Sequence, residues 1–163
     1  MNPQHRTLPE AQIQERKIKD TVDKLGNPIE LHWSLTLGGN ECFIMVLDVY
    51  SELLKKGWAN SDVVFDNKNR IIYAKYPDGT IGGGIVFKYF EDLRTGWIVL
   101  SFTAPEHRGK GINGLCHEFV ENECKRLGAK SISSFVHIDN APRLAAAKKV
   151  GLEPQYYRTY KKL

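Results

Sequence analysis

Apolar positions along this chain recur at two spacings, every three to four residues in some stretches and every second residue in others. Phe43, Ile44, Leu47, Tyr50, Leu53 and Leu54 form a helical stripe, with Asn40 placed to cap it and Gly57 to stop it. Ile112, Leu115, Phe119, Val120 and Leu127 form a second stripe that ends at Gly128. Between the two, residues 71–75 and 80–89 flank a Pro77-Asp78-Gly79 turn and predict an antiparallel pair, with residues 97–103 as the next strand. Residues 30–37 alternate loosely and predict an earlier strand. Residues 131–137 are strand-like, Asp139 or Asn140 caps a last helix that carries Pro142 in its first turn, and Gly151 closes it. Residues 156–162 alternate weakly and predict a terminal strand. Ahead of all these, Ile18, Val22 and Leu25 recur at helical spacing in an extension, residues 1–26, stopped by Gly26-Asn27-Pro28. An antiparallel meander, one βαβ crossover and a closing strand predict an α+β architecture: a mixed, mostly antiparallel sheet with helices on both faces.

The crossover contains the chemistry. Arg108-Gly109-Lys110-Gly111-Ile112-Asn113-Gly114 joins the 97–103 strand to the helix after it. Three glycines remove the Cβ atoms that keep a ligand off the main chain. A helix starting there points unpaired N–H groups and its positive dipole end into the loop, and Arg108 and Lys110 add charge, so the segment reads as an anion cradle. A Walker loop is excluded, since Gly-Lys is nowhere followed by Ser or Thr at the required spacing. G-x-G-x-x-G is literally present at Gly109, Gly111 and Gly114, with Asp139 downstream. However, Ala104-Pro105-Glu106-His107 separates the glycines from their strand, and only 24 residues follow Asp139, too few to complete a doubly wound sheet.

Pro105-Glu106-His107-Arg108-Gly109-Lys110-Gly111-Ile112 closely resembles the acyl-CoA signature of the GCN5-related N-acetyltransferase (GNAT) family, Arg/Gln-x-x-Gly-x-Gly/Ala. Arg108 and Gly111 take its first and fourth places, and Asn113 stands where the family prefers Gly or Ala. Asn140 and then Val150-Gly151-Leu152 are similar to the family's downstream Asn and Leu-Gly-Phe segment, so the resemblance covers about residues 80–162. It implies one acetyltransferase domain over residues 1–163, with the βαβ crossover wrapped around the CoA loop. It implies acetyl-CoA as co-substrate, its pyrophosphate on residues 108–114 and its pantetheine along Phe102, Thr103 and Asn140.

Composition narrows the setting. With 163 residues, 42% hydrophobic and 26% charged, the chain suits a globular protein with one core. No apolar run reaches bilayer length and the N-terminus lacks a signal-peptide core, so a cytoplasmic location and no membrane partner are expected. A net charge of +4 is too small to argue for nucleic acid. Its cations gather late, at Arg108, Lys110, Arg143, Lys148, Lys149, Arg158, Lys161 and Lys162, as a polyphosphate ligand would favour. Three cysteines without Cys-x-x-Cys predict neither a complete disulfide framework nor a metal site. A homodimer is compatible with all of this.

Acyl transfer to an amine needs an oriented thioester, a neutral amine, donors for the oxyanion and a proton for the thiolate if it requires one. His137, at a strand end beside the cleft, titrates in the useful range. Where the family carries a Tyr seven residues after the Asn, this chain has Ala147. Either Tyr156, Tyr157 or Tyr160 substitutes, with Tyr157 the leading candidate, or the thiolate leaves unassisted. Glu91 and Asp92 are the candidates for attracting a cationic acceptor, expected to be a small-molecule or peptide amine. Cys116, one place after a core-facing Leu, reads as a buried hydrophobe, so direct transfer is the simpler route.

Overall fold

The computed structural model describes residues 15–35, 41–59, 65–66 and 68–154. It opens on a hairpin, β1 (Glu15–Val22) and β2 (Pro28–Ser34), where the spacing of Ile18, Val22 and Leu25 had suggested a helix. Only Ile18 packs against the core; Val22 and Leu25 are exposed, so the helical spacing had no face to bury. The hairpin forms because Asp23 nucleates its turn. The Asp23 carboxylate accepts from the N–H groups of Leu25 (2.8 Å) and Asn27 (3.0 Å), and Gly26 supplies the positive φ, +82°, that the turn requires.

Helix α1 (Phe43–Lys55) follows, ending at Gly57 in the left-handed conformation; Asn40, its expected cap, lies outside the described residues. Strands β3 (Arg70–Lys75), β4 (Ile81–Phe90) and β5 (Thr95–Thr103) then form the meander, α2 (Ile112–Arg126) crosses over, and β6 (Ser131–Ser134) and α3 (Ala141–Lys149) complete the described chain. The strands lie in sequence order, antiparallel except for the β5–β6 pair, which is parallel. The strand expected over 156–162 lies outside the described residues.

Alternation along the strands divides the core into two layers. On one face Ile29, Leu31, Ile72, Ile85, Phe87 and Ile98 meet Ile112, Cys116, Val120 and Cys124 of α2. On the other, Ile71, Tyr73, Val86, Leu100 and Phe102 meet Val46 of α1. Helices therefore cover both faces, as the sequence predicts.

One irregularity sets up everything that follows. In the β4–β5 ladder Val86 pairs with Leu100 but Phe87 pairs with Ile98, leaving Val99 as an extra residue. The bulge switches side-chain parity, so Ile98 packs towards α2 while Val99, Leu100 and Phe102 pack towards α1. The β5–β6 ladder stops at the same level, at Ile98 opposite Ser134, although β5 runs five residues further to Thr103.

Candidate active site

Beyond Ile98 the sheet is split. Among the described residues no strand pairs with the outer edge of β5 from Val99 to Thr103. The Ala104 N–H donates inward to Gly82 C=O at 3.0 Å, so strand alternation turns the main-chain groups of Ser101 and Thr103 outward, onto that edge. The Ser101 hydroxyl is buried and has no hydrogen-bond partner among the described residues. Phe102 sends its ring into the α1-side core and its main chain towards β4, opposite Gly84. Ser101 was not singled out by the sequence because its outward register depends on the bulge.

The glycine loop stands at the open end of this edge. A single 3₁₀ turn, Pro105–His107, leads from β5 to Arg108, and Gly111 caps α2 with φ +80°. Among the described residues no side chain caps the helix, and the Leu115 N–H donates to Gly111 C=O (3.2 Å), so the N–H groups of residues 112–114 face the loop without helical acceptors. Gly109 and Gly114 have open space where a Cβ would stand. The loop is seated by Gly82 below it. A Cβ there would lie 2.7 Å from Ile112 Cδ1 and 2.8 Å from the Tyr76 ring, so only glycine lets the start of α2 come down onto the sheet.

Two side chains of the loop face different ways. Arg108 is exposed, and its charge adds to Lys56, the main cause, in holding the Glu52 carboxyl of α1 below its ordinary range. Lys110 turns back: its Nζ contacts His107 Nδ1 at 3.0 Å and lies 5.4 Å from the centre of the Tyr76 ring, on which His107 stacks at 4.3 Å. Tyr76 in turn donates from its hydroxyl to Asp23 at 2.8 Å. Burial alone pushes the Asp23 carboxyl up, but hydrogen bonds from Asn27, Tyr76 and Leu25 outweigh it and hold it at about 2.

At the far side of the split, Asn140 caps α3, its Oδ1 accepting from Arg143 N–H at 3.2 Å. His137 lies three residues past the last β6 pair; its Nδ1 accepts from Asp139 N–H at 3.2 Å, which leaves Nε2 for other work. Trp97 and Phe135 meet edge to face, ring centres 4.7 Å apart, either side of the last paired level. Cys116 is fully buried and its thiol is pushed up to about 12, consistent with packing rather than attack. Ala147 is buried on α3, and Tyr156, Tyr157 and Tyr160 lie outside the described residues.

Glu91 and Asp92 are exposed in the β4–β5 turn, at the end of β5 opposite the loop. From Thr95 to the split is three residues, about 10 Å of strand. The structure also brings together a pair that no sequence pattern indicated. His117 on α2 is 3% exposed with Nε2 unpartnered, and both terminal nitrogens of Arg143 are buried and unpartnered. Burial, then the nearby Arg143 charge, holds the His117 imidazolium below its ordinary range; burial does the same to Arg143.

A family model described as the acetyltransferase (GNAT) family matches residues 39–152, most of the chain. The protein belongs to that family and is an N-acetyltransferase. Its fold recurs in a crystal structure of an aminoglycoside acetyltransferase from an uncultured soil metagenomic sample, in complex with sisomicin, at 14% identity over 83% of this chain and 96% of that one (TM-score 0.63). It recurs in a ribosomal-protein-alanine N-acetyltransferase from Brucella melitensis biovar Abortus 2308, at 15% identity over 83% and 99% (TM-score 0.63). An aminoglycoside N-acetyltransferase in complex with CoA also shares it, at 14% identity over 83% and 98% (TM-score 0.56). Identities this low show a common fold and no common substrate. Among curated proteins nothing matches the chain.

Proposed function

We propose that the protein moves the acetyl group of acetyl-CoA directly to a primary amine of a small molecule or peptide. The observation that carries this reading is the split sheet ending in the glycine loop: a strand edge that no described strand pairs, open to an amide-bearing arm, leading to main-chain N–H groups suited to a pyrophosphate. Acetyl-CoA supplies the thioester carbonyl and the thiolate leaving group. Ser101 and Thr103 offer outward N–H and C=O groups to the pantetheine amides, and the buried Ser101 hydroxyl gains a partner there. Phe102 contributes the packed ring that fixes this edge. Residues 108–114 hold the phosphates, with Arg108 as an outward cation, and Asn140 retains its Nδ2 donors for the arm while Oδ1 caps α3.

His137, through Nε2, takes the proton of the attacking amine; Tyr157 supplies one to the departing thiolate. Glu91 and Asp92 draw a cationic acceptor towards the far end of β5, in a cytoplasmic setting. Ala147, buried where the family's acid is expected, favours a second reading, a CoA-binding module without turnover.

Release of free CoA thiol, measured across peptides, polyamines and aminoglycosides, decides between the two: thiol release with any amine supports transfer, and tight acetyl-CoA binding with no release from any acceptor supports the inert module. Titration calorimetry should show acetyl-CoA binding and NAD not binding, with Arg108→Ala weakening acetyl-CoA by about tenfold or more. NAD binding in place of acetyl-CoA overturns both readings.

A further inference from the structure

The β1–β2 turn is pressed against the glycine loop. The Lys24 N–H donates to Lys110 C=O at 2.9 Å. The Lys24 side chain then lies over Gly111: a Cβ built on Gly111 stands 2.7 Å from its Cγ and 3.0 Å from both Cδ and Cε. The methylene stem thus fills the space that glycine leaves, and the ammonium, one bond beyond Cε, sits at the N-terminal end of α2. Lys110, the loop's own lysine, points away into the His107–Tyr76 stack. Among the described residues the outward cations at the loop are therefore Lys24 and Arg108, and no ion pair to a carboxylate is formed by either. A cation at the positive end of a helix dipole is unfavourable unless an anion joins it.

We propose that Lys24 is a phosphate ligand of the co-substrate, contacting its pyrophosphate, so that the N-terminal hairpin forms one wall of the nucleotide site. This rests on the acetyl-CoA reading above. Lys24 precedes residues 39–152, the segment matched by the family model, so this wall is a feature of the chain outside the part it shares with that model.

The test uses the full chain with Lys24→Met, which keeps the stem on Gly111 and the main-chain bond but removes the charge. Lys24→Arg serves as rescue, and melting curves confirm that both fold. Calorimetry with CoA, dephospho-CoA and pantetheine should show Lys24→Met weakening CoA and dephospho-CoA by about tenfold at low ionic strength. The loss should shrink as salt screens the charge, while pantetheine is unaffected and Lys24→Arg restores affinity. A loss with CoA but not with dephospho-CoA puts the contact at the ribose phosphate and overturns the assignment to the pyrophosphate. An unchanged CoA affinity in Lys24→Met, while Arg108→Met binds weakly, overturns this inference alone. A wild-type chain that fails to bind CoA overturns it together with the acetyl-CoA reading.

Discussion

Asp23 and Arg143 both carry buried charge beside the crossover helix, and their surroundings are opposite. Asp23 receives hydrogen bonds from Leu25 and Asn27 main-chain N–H, the Asn27 amide and the Tyr76 hydroxyl. Arg143 has both terminal nitrogens buried without a partner, within electrostatic reach of a His117 that is itself unpartnered at Nε2. The same polar burial is thus structural in one place and a standing cost in the other. Through Tyr76 and His107 the satisfied carboxylate is tied to the loop proposed to bind phosphate. The unsatisfied cation is tied to nothing the described residues provide.

The contrast breaks most sharply at Asp23. Asp23→Ala strands four donors at once, so thermal denaturation should show the melting temperature lower by many degrees, and calorimetry should show CoA affinity falling as the Tyr76–His107–Lys110 stack loosens. If the melting temperature falls and CoA affinity holds, the turn supports the fold but not the loop. Arg143→Met should move stability the other way, by about 1–2 kcal/mol in denaturant titration, because a well-packed apolar chain replaces an unpaired buried cation. A loss of stability there would show that Arg143 is paired in solution.

Acid titration sharpens the comparison. The Asp23 carboxyl is held down in the fold, so its contribution is complete above the ordinary carboxylate value and drains away between about pH 4 and 2. His117 is a base held down in the fold, so the unfolded chain takes a proton that the folded chain refuses, and stability should begin to fall as pH drops below about 6.5. In Arg143→Met, one of the two causes of that depression is gone, and the slope between pH 6.5 and 5 should be shallower by melting curves. The smallest expected effect is on the acceptor: Glu91→Lys with Asp92→Lys should raise the acceptor KM several-fold and leave CoA affinity nearly unchanged. If neither moves, the acceptor enters elsewhere.

Much of the fold is legible in the sequence. Strands β3, β4 and β5, helices α1 and α2 and the glycine stops announce themselves by period and punctuation, and the Asn140 cap follows from a side chain suited to it. Strand β1 was not legible. As an edge strand buried on one side by Ile18 alone, it leaves little alternation to read, and chance spacing resembled a helix. The loop's buttress was hidden for a different reason: Tyr76 and Asp23 are 53 residues apart, and no local pattern encodes a contact at that range. For the same reason neither the turn of the Lys110 side chain onto His107 and Tyr76 nor the approach of Lys24 through the hairpin can be read from the loop's own sequence. His117 and Arg143 sit in two ordinary helical patterns, and only the packing of α2 against α3 makes them a pair.

The extra residue at Val99 makes β5 sensitive to counting rather than to spelling. Val99 replaced by Ile or Thr leaves every neighbour on its own side of the sheet. A deletion of that one residue makes Ile98 and Leu100 neighbours, and strict alternation then leaves Ile98 in the α2-side core and Leu100 and Phe102 in the α1-side core, with the register to β4 unchanged. A one-residue insertion between Ile98 and Leu100 instead leaves two residues unpaired there, or slides Ser101 and Thr103 along β4. In a library of variants this stretch should therefore accept many substitutions and the loss of Val99 but no added residue, whereas a surface loop tolerates both.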